Sequence, residues 1–81
     1  MIKFDDIERI YFLGIGGIGM SALARYFLAK RFKVAGYDRD QSEICISLIN
    51  DSCEISFDDD PTFIPPSFRE KTTTLVVYTP A

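Results

Sequence analysis

Histidine and tryptophan are absent from this 81-residue sequence, and cysteine occurs only twice. Without histidine the commonest general base and the commonest nitrogen ligand for metals are both missing. Cys45 and Cys53 have no metal-ligand spacing. They read as small apolar core residues, in a reducing and cytoplasmic setting. Basic residues are in deficit, nine Lys and Arg against twelve Asp and Glu, for a net charge of −3. A nucleic-acid partner would call for a basic face, so this balance argues against one. No apolar run approaches the roughly 20 residues that cross a membrane. Lys3-Phe4-Asp5-Asp6 is polar where a secretory signal would carry its apolar region. The acidic run Asp58-Asp59-Asp60 comes from one segment, whereas a hard cation takes oxygens converging from several. It reads as a solvated turn, and no metal site is expected. The length allows one small domain, and 47% hydrophobic residues suffice for a core.

What the sequence does have is a glycine-rich turn between a strand and a helix. Ile10-Tyr11-Phe12-Leu13 is a β-branched and aromatic run that feeds directly into Gly14-Ile15-Gly16-Gly17-Ile18-Gly19-Met20-Ser21. Ala22 to Ala29 then reads as helix. This is the context in which G-x-G-x-x-G means phosphate binding. Gly14 would permit the sharp exit from the strand, Gly16 a close approach of a diphosphate, and Gly19 close helix–sheet packing. N–H groups of the first helical turn would point at the anion, with the positive end of the dipole behind them. Ser21 could donate to a phosphate oxygen or satisfy a backbone group, and Met20 reads as packing. Asp38 closes the next strand 24 residues after Gly14, near the fingerprint's spacing of about 20, and could accept bonds from ribose hydroxyls.

In order along the chain, the apolar patterning predicts strands at 9–13, 33–38, 53–57 and 73–78, with helices at 19–30 and 43–50. Leu23, Ala24, Phe27 and Leu28 are the expected sheet-facing stripe of the first helix, and Ile44, Cys45, Leu48 and Ile49 that of the second. Asp40 with Glu43 resembles a capping box. The first helix lacks the usual terminal glycine; a left-handed Arg31 in its place would cost about 1 kcal/mol. Residues 58–71 hold three prolines and read as a surface connection with at most a helical turn. The alternation predicts an α/β domain: a Rossmann-like open parallel sheet of about four strands, with right-handed crossovers and helices on its faces. The last strand delivers the chain to the ligand-binding edge just as the sequence ends. The expectation is therefore one domain, 1–81, from a larger multidomain protein.

The glycine motif, with its added Gly17 and its Met-Ser helix start, resembles the amino-terminal domain of the Mur ligases of peptidoglycan synthesis. Within them it is most similar to the branch that joins L-alanine to UDP-N-acetylmuramate. Val34-Ala35-Gly36-Tyr37-Asp38, Ser42-Glu43 and Leu75-Val76-Val77-Tyr78-Thr79-Pro80-Ala81 extend the likeness. The resemblance implies a Rossmann-like domain that binds the UDP part of UDP-N-acetylmuramate. Gly16, Gly17, Ile18 and Gly19 would hold the diphosphate, Asp38 would lie at the uridine end, and Thr79 would line the crevice. It also implies that ATP, Mg2+ and L-alanine are used by the full-length enzyme through domains absent here. Two departures stand out. Asp58-Asp59 replaces the Gly-His many members carry after the third strand, and Arg31 and Ser52 replace helix-ending glycines.

The residues themselves leave the ligand open. Glycines plus Asp38 suit NAD, in an oxidoreductase or an NAD-sensing module, as well as UDP, and a non-binding structural remnant is a third reading. No catalytic residue is expected: no nucleophile stands beside a base, and the turn lacks the Gly-Lys-Ser/Thr ending of an ATP cradle. The visible site binds and does not transform its ligand.

Overall fold

A computed structural model describes residues 4–79. Strand β1 (Arg9–Leu13) runs through the glycine turn into helix α1 (Ile18–Ala29), followed by β2 (Lys33–Tyr37), α2 (Glu43–Asn50) and β3 (Glu54–Ser56). Two short 3-10 turns, Pro61–Phe63 and Pro66–Arg69, lead to β4 (Thr74–Val77). The four strands form one parallel sheet in the order β3-β2-β1-β4. The expected fold class is therefore observed, and β1 is central, so the turn that follows it emerges from the middle of the carboxyl edge.

Alternation along the buried strands sorts their side chains onto two faces. Ile10, Phe12 and Val34 point to the helical face, where they pack with Ile15, Ala24, Phe27 and Leu48. Tyr11 and Ala35 face the opposite side, which the 3-10 segment covers through Phe68, edge-on to Tyr11 at 6.3 Å. The helices bury narrower stripes than expected. Leu23, Ile44 and Ile49 are more than a third exposed, while Ser21, Ala24 and Phe27 of α1 and Cys45 and Leu48 of α2 carry the contact. Arg25 of α1 binds Ser47 of α2 and Asp51 just after it, fastening the two helices on their outer side. The cap of α2 is also corrected: Ser42, not Asp40, accepts the Cys45 N–H at 3.2 Å.

Both helices end in the same way. After α1, the Phe32 N–H donates to the Phe27 carbonyl and the Arg31 N–H to that of Leu28; after α2, Cys53 and Ser52 donate to Leu48 and Ile49. This pattern of paired bonds requires a left-handed residue. Arg31 (φ 69) and Ser52 (φ 83) adopt it without being glycine. Each carries about 1 kcal/mol of strain. The ring of Phe32 packs edge-on against Phe27 at 5.2 Å, an apolar clasp that holds the first of these ends in place.

Candidate functional site

The turn from β1 to α1 is held by backbone bonds and by one carboxylate. Gly14 (φ 83) makes the exit that only glycine adopts freely, and its N–H and that of Ile15 both donate to the Tyr37 carbonyl, at 2.8 and 3.1 Å. Ile15 is fully buried and pegs the turn into the core. The Gly17 N–H donates back to the Gly14 carbonyl at 3.1 Å. The Gly16 N–H donates to Asp38 Oδ2 at 2.7 Å, while Asp38 Oδ1 accepts the Asp40 N–H at 2.9 Å. Asp38 is thus brought to the glycine turn as the spacing anticipates. Both of its oxygens, however, already serve backbone N–H groups.

Gly14 thus makes the turn that the motif suggests, whereas the surroundings of Gly16 and Gly19 differ from those expected. A Cβ on Gly16 would stand 2.7 Å from Cys45 Sγ and 2.9 Å from Asp38 Oδ2, so the missing side chain makes room for this protein's own α2. A Cβ on Gly19 would meet nothing within 4 Å; the close helix–sheet contact expected there is not made. The close approach occurs at Gly36 of β2, where a Cβ would lie 2.7 Å from the Phe12 carbonyl oxygen and 3.0 Å from Ile15. Sequence reasoning passed over Gly36, although a glycine inside a strand signals close backbone approach. Ser21 is buried and donates its hydroxyl to the Ile18 carbonyl at 3.0 Å. Of its two expected uses, the backbone one is observed. Met20 packs against the helical-face core, as expected.

With Gly16 and Gly17 satisfied, the donors left without an acceptor among the described residues are the N–H groups of Ile18, Gly19 and Met20, the first three of α1. The cap residue Gly17 contributes no side chain, and the first turn holds no acid, so no side chain among the described residues caps these groups. Thr79 follows β4 at the same edge of the sheet and is exposed. No hydrogen bond joins it to the turn. A cleft of about 140 Å³, not anticipated from the sequence, opens at this edge on the opposite face, between Leu13, Tyr37 and the Asp58–Asp60 loop. In that loop the Asp60 carboxylate accepts the Thr62 N–H at 2.9 Å, which lowers its pKa and caps the first 3-10 turn. Neither cysteine offers a nucleophile: both are buried, and burial pushes the Cys53 thiol up to about 11.

This arrangement of strand, tight turn and uncovered helix N-terminus suits an anion, and its sequence matches one family throughout. The profile described as "Mur ligase family, catalytic domain" matches residues 9–81. The chain belongs to the Mur ligase family. Among curated Mur ligases it is 55% identical to the UDP-N-acetylmuramate–L-alanine ligase of Porphyromonas gingivalis, over 93% of this chain and 16% of that protein. It is 52% identical to that of Phocaeicola vulgatus, over 95% of this chain and 17% of the relative. The ligase of Christiangramia forsetii is 49% identical, over 100% of the chain and 18% of its own length. The chain thus spans less than a fifth of the Mur ligases it matches.

Proposed function

We propose that this chain is the UDP-binding amino-terminal domain of a cytoplasmic, ATP-dependent ligase that joins L-alanine to UDP-N-acetylmuramate. The observation that carries the reading is the row of free N–H groups at Ile18, Gly19 and Met20, at the positive end of α1 and next to the glycine turn. A diphosphate supplies the oxygens these donors lack. The names of the relatives supply the rest: each is a ligase for UDP-N-acetylmuramate and L-alanine. In the whole ligase, ATP would phosphorylate the muramoyl carboxylate. The amine of alanine would then displace phosphate to give the amide.

The residues present do not suit ATP with Mg2+. Ser21 is preceded by Met20 where a phosphate cradle has lysine, and no group of three potential metal ligands occurs among the described residues. ATP, Mg2+ and L-alanine are assigned to the parts of the ligase outside this chain. What this chain contributes is binding: it would hold the nucleotide end of the substrate while chemistry proceeds at the lactyl carboxylate. Gly14 shapes the turn, Gly17 caps α1, Asp38 braces the loop, and Thr79 borders the crevice.

Gly19→Ala tests this reading. Its new methyl meets no atom within 4 Å outside its own stretch of helix, and replacing a helical glycine stabilises by up to about 0.5–1 kcal/mol. In a helix the Cα–Cβ bond tilts toward the N-terminus, so the methyl leans toward the anion's position. The expected result is a chain that melts at higher temperature and binds UDP more weakly, by calorimetric titration, with NAD binding to neither form. Unchanged UDP affinity in Gly19→Ala, or NAD binding without UDP binding, would remove the proposal's basis.

A further inference from the structure

We infer that Asp38 is a positioning residue, a brace that ties the β1–α1 turn to the β2–α2 turn and aims the free N–H groups of α1, and not the acceptor of the ribose hydroxyls. The inference rests on the reading that the α1 N-terminus takes the diphosphate. Asp38 is itself fixed, its own N–H donating to the Ser56 carbonyl of β3 at 3.1 Å. From that anchor Oδ2 holds the Gly16 N–H at 2.7 Å and Oδ1 holds the Asp40 N–H at 2.9 Å. Cys45 Sγ fills the space beneath Gly16, so the turn cannot sink toward α2. Buried Ile15 prevents it from lifting. The helix that carries the free donors therefore starts from a turn fixed by Cys45, by Ile15 and by its backbone bonds to Tyr37, and the Asp38 carboxylate is the one side chain that holds it by a hydrogen bond.

Chemistry favours retention of this brace when ligand binds. Turning Asp38 to ribose would exchange a charge-assisted bond from an N–H for one from a hydroxyl, and would leave the half-buried Gly16 N–H without a partner. Asn at this position cannot substitute fully. A carboxylate accepts at both oxygens, whereas the amide has one acceptor for the two N–H groups and presents its own NH2 to the other.

Two measurements on the whole 81-residue chain decide the matter. The first needs no variant: the scalar coupling across the hydrogen bond between the Gly16 nitrogen and the Asp38 carboxylate carbon is recorded by NMR, free and with saturating UDP. The brace requires the coupling in both states. Its disappearance as UDP saturates would show the carboxylate leaving for the ribose and overturn the inference. The second compares UDP, 2′,3′-dideoxy-UDP and inorganic pyrophosphate as ligands of the parent and of Asp38→Asn. A positioning residue lowers all three affinities by a common factor of about tenfold, the scale of one charge-assisted bond made neutral. A loss confined to UDP would identify a ribose contact instead. Failure of the parent to bind any of the three overturns the proposed function and this inference with it, whereas binding with unequal losses overturns the inference alone.

Discussion

Replacing Gly16 by alanine puts the strongest demand on this account of the turn. From the motif alone, such a change would act on the ligand, by occupying phosphate space. In the structure the added Cβ lies 2.7 Å from Cys45 Sγ and 2.9 Å from Asp38 Oδ2, both far inside van der Waals contact. Cys45 is fully buried in the first turn of α2 and cannot swing aside. Overpacking of this kind costs about 1–3 kcal/mol. Gly16 is not at positive φ, so alanine also restricts the unfolded chain and recovers roughly 0.4–1 kcal/mol. The net expectation is a destabilisation of about 1–2 kcal/mol, which in a domain of this size lowers the melting temperature by some 4–8 °C per kcal/mol. Urea denaturation followed by far-UV circular dichroism measures it. Adding Cys45→Ala removes the sulfur that the new methyl strikes, so the double variant should lose less than the sum of the two single losses, by about 1 kcal/mol. Strict additivity, or a Gly16→Ala chain as stable as the parent, would refute the claim that this glycine exists to admit Cys45.

Three further outcomes are expected. Arg31→Gly and Ser52→Gly each relieve a left-handed conformation and should each raise stability by up to about 1 kcal/mol in the same denaturation assay. The denatured chain releases the Cys53 proton at its ordinary value of 9.0, while the folded thiol holds it up to about 11. The folded state thus binds more protons across that window, and stability should fall as pH rises from 9.0 to about 11, with a shallower fall in Cys53→Ala. The chain alone, given ATP, Mg2+, UDP-N-acetylmuramate and L-alanine, should release no phosphate above a blank in a colorimetric assay.

The sequence by itself determined the order of elements, the parallel α/β class and the place of the glycine turn that forms the candidate site. Those follow from local information: continuous apolar runs for β1 and β2, a glycine turn between strand and helix, and an acid at the next strand's end. The left-handed end at Arg31 could be anticipated, because a helix must stop somewhere and no glycine was present to stop it; the one at Ser52 was not. Tertiary structure alone decided what each group of the candidate site touches. Whether Gly16 spares room for a ligand or for Cys45 depends on where α2 lies, and 29 residues separate the two along the chain. Gly36 matters only because Phe12 and Ile15 lie against it, and Gly19 lacks its expected role because α1 starts clear of the sheet. Asp38 was legible as a candidate site residue, but not the bonds its two oxygens accept from Gly16 and Asp40. A carboxylate's type and spacing announce that it will accept hydrogen bonds, and only the folded backbone determines which N–H groups arrive first.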